Sequence, residues 1–248
     1  MPTPVTAALL LIGNELLSGK IVDQNGQLVI STLRRRGIDL VEVRMVADDA
    51  AAIGAAAREL AERATFVISS GGIGPTHDDI TLASIAAGFG LAMREEPALR
   101  AWIDQHFAAR PAELAVWRRM AMVPEGAVIH TDSRTMWPLT QVRNVFVLPG
   151  VPQLFANQLR AVVARFDGQP IALSTLYLRC GEGEVAAHLE AVLQAEPAVA
   201  LGSYPVWGDF DYRTRITVES RDAAAVARAT AALSERFGEA LVRVETAD

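Results

Sequence analysis

Hydrophobic positions in this chain fall into short apolar runs separated by longer stretches with helical spacing. Residues 7–12, 38–46 and 66–69 are rich in aliphatic and β-branched side chains, and runs of this length predict strands, the first and third buried on both faces. Residues 24–36 place Leu28, Val29 and Leu33 on one side and Gly37 at the end, which predicts a helix. Asp48 or Asp49 opens an alanine-rich helix running to about Ala64, and another helix runs to about Ala87. Strand and helix alternating at this spacing imply right-handed βαβ units, hence an α/β fold whose mostly parallel sheet is covered on both faces. Residues 97–122 keep a helical pattern interrupted at Pro111, with Trp102, Phe107 and Trp117 read as packing residues. Residues 142–148 predict a further strand feeding a helix over 153–166. The turn Asp167-Gly168-Gln169-Pro170 marks a boundary, dividing a domain over 1–168 from a small α+β domain over 171–248. The small domain reads strand (173–179), helix (182–194), strand (199–204), strand (213–219), helix (222–237) and strand (241–244).

Candidate chemistry concentrates where the third strand ends. Gly71, Gly72 and Gly74 follow it within four residues, and glycine lets a ligand approach the main chain without meeting a Cβ. Pro75 pre-sets a helical φ, and Thr76 with Asp79 has the spacing of a capping box. A strand, a glycine turn and a helix start aim backbone N–H groups and a positive dipole end at one point, which suits a phosphate. Asp78 and Asp79 then bring carboxylates to a site that favours anions, and a divalent cation bridging carboxylate and phosphate resolves the conflict. The plainer alternative is an ordinary strand–helix turn with Asp79 as a cap, and the residues alone leave both open. Neither G-x-G-x-x-G nor the Walker A spacing is present.

Glu15, after the first strand, and Asp48, after the second, belong to loops that leave a parallel sheet at the same edge as the glycine turn. Carboxylates converging from three loops are how a hard-cation site is built, while capping or solvated charge is the competing role, strongest for Asp49. A second tight turn, Pro149-Gly150-Val151-Pro152, ends the strand over 142–148 and shares the crevice if both turns lie at the carboxyl edge. The histidines His77, His106, His130 and His188 have no zinc-ligand spacing, and His77 reads as a surface residue of the loop rather than an acid–base group. No G-x-S-x-G elbow occurs.

Composition narrows the class further. Of 248 residues 51% are hydrophobic and mean hydropathy is +0.22, enough for a packed core. The net charge of −6 argues against nucleic acid or an anionic membrane as partner. Cys180 is the lone cysteine, so no intrachain disulfide forms, and the start lacks the basic region of a signal peptide. No apolar run approaches the length needed to span a bilayer. A cytoplasmic protein is the expectation.

Several stretches together resemble a known family. GNELLSGKIVDQN (13–25), SSGGIGPTHDDIT (69–81), VPEGA (123–127) and VLPGVP (147–152) resemble the MoaB/Mog-type molybdopterin-binding domain of competence/damage-inducible protein A. CGEGE (180–184) is similar to that family's turn in the smaller domain, and RNVFVLPGVP with LGSYPVWGDFDY also resembles the N-terminal domain of eukaryotic FAD synthase. The resemblance implies a three-layer MoaB/Mog-like sheet, a homodimer, and metal-dependent hydrolysis of the phosphoanhydride of ADP-ribose or FAD. On that reading Asp78 and Asp79 are catalytic, and Glu15, Asp48, Asp78 and Asp79 hold Mg²⁺ or another divalent cation. Gly13, Gly71, Gly72, Gly74, Pro75, Thr76, Pro149, Gly150 and Pro152 contact the nucleotide or pterin. Molybdopterin binding with adenylyl transfer, and a non-enzymatic ligand-binding module, are the alternatives. Two departures stand out: the family's G-T-A-P-G segment is replaced by SRTMWPL (133–139), and Gln153-Leu154 replaces an acidic position after PGVP.

Overall fold

The computed structural model describes residues 4–131, 137–208 and 210–247. Two compact units result, 1–168 and 169–248. The first begins with β1 (Thr6–Ile12), the one-turn helix α1 (Asn14–Leu17), α2 (Asn25–Arg35), β2 (Asp39–Val46), α3 (Ala50–Arg63), β3 (Phe66–Ser70) and α4 (Thr81–Phe89). It continues with β4 (Met93–Glu95), α5 (Pro97–His106), α6 (Pro111–Trp117), β5 (Met122–Pro124), β6 (Val128–His130), β7 (Leu139–Val142), β8 (Val145–Leu148) and α7 (Pro152–Val163).

Six strands form one sheet in the order β2-β1-β3-β8-β7-β6. The first four run parallel, and β7 and β6 turn back antiparallel. Because successive side chains alternate between faces, the unbroken apolar run of β1 serves two cores at once. Ala7, Leu9 and Leu11 pack with Val29 and Leu33 of α2 and with Phe155 and Leu159 of α7. Ala8, Leu10 and Ile12 pack with Ile53 and Leu60 of α3 and Ile85 of α4. This is the expected three-layer arrangement. Leu9 and Leu10 are completely buried, each worth about 1.5–3 kcal/mol relative to exposure.

Three local features differ from the sequence expectation. Residues 142–148 are a hairpin rather than one strand, because the chain reverses at Arg143-Asn144, with Arg143 at φ 54°. Thr76 and Asp79 make the capping contact, but the helix opens later: α4 starts at Thr81, its N-cap is Ile80, and no side chain caps it. Finally, β4 pairs with β5 as a separate ribbon.

The second unit contains β9 (Ala172–Leu178), α8 (Glu182–Ala195), β10 (Ala200–Pro205), β11 (Thr214–Ser220), α9 (Ala223–Phe237) and β12 (Leu241–Ala247). Its strands form an antiparallel sheet, β10-β11-β9-β12. Leu176, Leu178, Ile216 and Val218 face the core, where Val185 and Val192 of α8 and Val226 and Leu233 of α9 cover them. The intervening positions are polar: Tyr177 donates to Glu245 Oε2 at 2.7 Å, and the Arg243 guanidinium lies 3.8 Å from the Tyr177 ring centre. Among the described residues no helix is long and apolar enough to cross a membrane.

Candidate functional site

The carboxyl ends of β1, β3 and β8 open onto one cavity of about 620 Å³, the position where parallel sheets bind ligands. Its floor is the turn from Ser70 to Pro75, and Pro149, Gly150, Val151 and Pro152 form an adjacent side. The floor depends on glycine at Gly71. Its φ is 110°, and a Cβ there would lie 2.2 Å from the carbonyl oxygen of Ile12, so strand β1 and the turn approach too closely for any side chain. Among the described residues, the N–H groups of Gly72, Ile73 and Gly74 meet no acceptor, whereas the Gly71 N–H donates to the Leu148 carbonyl at 3.2 Å. Free amides at a cavity floor are groups that an anion satisfies.

One helix start reinforces this polarity. Both α2 and α7 begin at cavity-lining residues, Gln24 and Asn25 for one and Val151 and Pro152 for the other, and neither has a side chain capping it from the N-cap position. The positive end of α7 therefore contributes to the cavity, whereas at α2 the Asp23 carboxylate accepts the Gly26 N–H at 3.0 and 3.1 Å and occupies that end. The start of α4 does not contribute either, since the Thr81 N–H is taken by the Gly72 carbonyl at 3.0 Å. Asn25 ties the parts together. It is buried, and its Nδ2 donates to Ser70 Oγ and to the Gly150 carbonyl, both at 2.9 Å. One side chain thus fixes the glycine turn, the second turn and the start of α2 relative to one another.

The carboxylates are distributed differently from the convergence expected of Glu15, Asp48, Asp78 and Asp79. Glu15 and Asp79 line the cavity, as does Asp23, which the sequence reading did not single out. Asp48 does not line it, because its Oδ2 accepts the Asn14 N–H at 2.8 Å and so caps α1. Asp78 is exposed and points its Oδ1 at the Thr76 hydroxyl, 2.6 Å away. That hydroxyl, donating, holds the Asp78 carboxyl below the usual carboxylate range, helped by a backbone N–H and by the charge of His77. Asp79 is half-buried and its Oδ2 accepts the Thr76 N–H at 2.9 Å. The same oxygen is also in reach of the Thr76 hydroxyl, whose single proton serves one carboxylate at a time. Thr76 itself is exposed and its amide is occupied, so it is not one of the free donors. Gly13 is buried at the end of β1, with the Glu15 carboxylate folded against it. His77 is exposed and does not line the cavity.

Among the described residues, no three acidic, histidine or cysteine side chains are grouped to hold a metal ion unaided. Glu15 and Asp79 could each offer a carboxylate oxygen to a hard divalent cation, an ion commonly held by one or two carboxylates plus the phosphates of its substrate. No Lys, Arg or His lines the cavity among the described residues, so an anionic ligand there has only amides, the start of α7 and a cation to balance it.

The remaining walls are apolar. Leu16, Ile21, Val22 and Leu154 contribute, and so do Phe107, Trp117, Met120 and Trp137. Phe107 and Trp117 pack on Leu99, Ile103, Ala121 and Val123 as expected, Trp137 joins them there, and all three also line the cavity. Residues 133–136 of the divergent segment lie outside the described residues, and Trp137 is its first described member.

Comparison with known proteins agrees with this fold. Residues 8–168 match the family model described as "Probable molybdopterin binding domain", and residues 170–245 match "FAD synthase, middle domain". A CinA-like protein of Gemmatimonas aurantiaca is 32% identical over 247 residues, covering 93% of this chain and 58% of that protein. A "Probable FAD synthase" of Caenorhabditis elegans is 26% identical, covering 95% of this chain and 50% of its own length. This chain therefore spans about half the length of these curated relatives. The crystal structure of the protein CinA "with unknown function" from Thermoplasma acidophilum superposes with a TM-score of 0.58 at 29% identity, covering 65% of this chain and 98% of that one. The chain belongs to the molybdopterin-binding-domain family, in the two-part arrangement met in CinA-type proteins and FAD synthases.

Proposed function

We propose that the cavity binds a nucleotide diphosphate and that the protein hydrolyses its phosphoanhydride, as in ADP-ribose or FAD, with a divalent cation. The observation that carries this reading is the trio of free amides at Gly72, Ile73 and Gly74 beside the carboxylates of Glu15 and Asp79. Amides alone suit a phosphate, and carboxylates alone repel it. Both on one floor call for a cation between them. Glu15 and Asp79 would hold that ion, which supplies polarisation of the phosphoryl group and acidification of a bound water. The Gly72–Gly74 amides orient the diphosphate, and Thr76 fixes the Asp79 carboxylate through its N–H. Asp78, ionised below the usual range, adds negative charge at the exposed rim. The apolar walls restrict water around the reacting centre.

Binding of a molybdopterin, with or without adenylyl transfer, is the second reading, favoured by the family match over 8–168 and by an apolar cavity large enough for a pterin. The two separate in one experiment. AMP release is measured from ADP-ribose, FAD and NAD with Mg²⁺, Mn²⁺ or Co²⁺, and after chelation. The hydrolase reading expects AMP from at least one dinucleotide and none after chelation. Pterin binding with ATP-dependent adenylylation, and no AMP from the panel, supports the second reading.

A further inference from the structure

We infer that Phe107, Trp117 and Trp137 form a subsite for a planar heteroaromatic ring carried by the ligand, and that this wall decides which diphosphates the site accepts. The inference rests on the reading of the glycine turn as a phosphate cradle. The residues come from separate segments: the end of α5, the end of α6, and the approach to β7. All three line the cavity that holds the Gly71–Pro75 floor. Leu99, Ile103, Ala121 and Val123 beneath them are almost completely buried. The rings are only half-buried, one side on that core and the rest toward the cavity.

The wall is also pre-formed. Phe107 and Trp117 stack with centres 4.5 Å apart and planes 16° apart. Trp102 meets Trp137 edge-on, with centres 4.9 Å apart at 75°. Trp117 Nε1 already donates to Glu113 Oε2 at 3.3 Å, so this indole offers a ligand its π surface rather than a hydrogen bond. Rings locked by one another lose little freedom on binding, and stacking on them favours a flat, polarisable partner with little demand on its hydrogen-bonding pattern. The charged side chains lining the cavity among the described residues are all acidic, Glu15, Asp23 and Asp79. The anion is thus handled at the floor and the ring at the wall.

The test compares ligands that share a phosphate and differ in the ring. AMP and FMN carry one, ribose 5-phosphate does not, and none has a phosphoanhydride to hydrolyse. Calorimetric titration of the whole chain with Mg²⁺ should show AMP or FMN binding about 10- to 100-fold tighter than ribose 5-phosphate. Trp117→Leu and Trp137→Leu should bring that ratio close to one while leaving ribose 5-phosphate affinity within about two-fold. Equal binding of all three by the unmodified protein overturns the inference, as does no binding of any. Variants that weaken every probe alike show a structural role and overturn it too. The ratio in the unmodified protein stands as a test even if a variant fails to fold. A ring preference without AMP release from dinucleotides would defeat the hydrolase reading alone; AMP release without a ring preference would defeat this inference alone.

Discussion

The two units of the chain use sheets of opposite kinds, and the difference explains where chemistry collects. In the first, four parallel strands share a direction, so the loops after β1, β3 and β8 emerge at one edge and line one cavity. In the second, every neighbour pair is antiparallel, so the carboxyl ends of its strands are divided between two edges, β9 and β10 ending at one and β11 and β12 at the other. Its side chains also close on one another. Tyr177 with Glu245, and Arg228 with both oxygens of Glu196 at 2.6 and 2.7 Å, satisfy their own charges. The first unit instead leaves three amides of its glycine turn unpaired among the described residues. Unpaired polarity at a parallel sheet's edge is available to a ligand, whereas internally paired polarity holds a fold.

Glycine substitution should separate the units most sharply. At Gly71 the backbone is left-handed and a Cβ would press on the Ile12 carbonyl, so Gly71→Ala should cost about 3–5 kcal/mol in urea unfolding. Gly183, exposed near the start of α8, has nothing within 4 Å of a Cβ. There Gly183→Ala should stabilise by about 0.4–1 kcal/mol. If both changes gave similar effects, the claim that the first unit's turn is constrained by its contact with β1 would fail. The smallest effect concerns pH. The Arg228 hydrogen bonds hold Glu196 below its ordinary value. Its contribution is therefore complete above the unfolded carboxylate pKa of about 4.3 and is lost as pH falls through the lower folded value. Glu196→Gln should flatten the acid loss of stability between about pH 5 and 3. Some slope should persist, because Tyr177 and Arg243 hold Glu245 low in the same way.

How much of this was legible in the sequence depended on whether the deciding contact was local. The second unit's six elements follow from alternating apolar positions and turn residues, and the structure gives all six in that order. In the first unit the apolar run of β1 identified a strand buried on both faces because nothing polar interrupts it. The hairpin at Arg143-Asn144 was missed because no glycine marks it and apolar residues flank it closely. The Thr76–Asp79 spacing did specify a contact, with the Asp79 carboxylate accepting the Thr76 N–H, but nothing in four residues determines that the helix waits until Thr81. Asn25 was invisible as a keystone, since its partners Ser70 and Gly150 lie 45 and 125 residues away. Asp48 was misplaced for a similar reason: its acceptor role toward Asn14 depends on β1 and β2 lying side by side. Trp117 and Trp137 pack as large aromatics do, and only the cavity they border shows their second face.

The central claim is that the Asp79 carboxylate serves turnover at the amide floor rather than folding. Asp79→Asn is the direct test, because the amide oxygen of Asn can still accept the Thr76 N–H and the shape is unchanged. AMP release from the best dinucleotide of the panel, measured over a Mg²⁺ titration, should fall by about 100-fold or more, with the unfolding midpoint close to that of the unmodified protein. AMP release at the original rate with the same metal requirement would contradict the account.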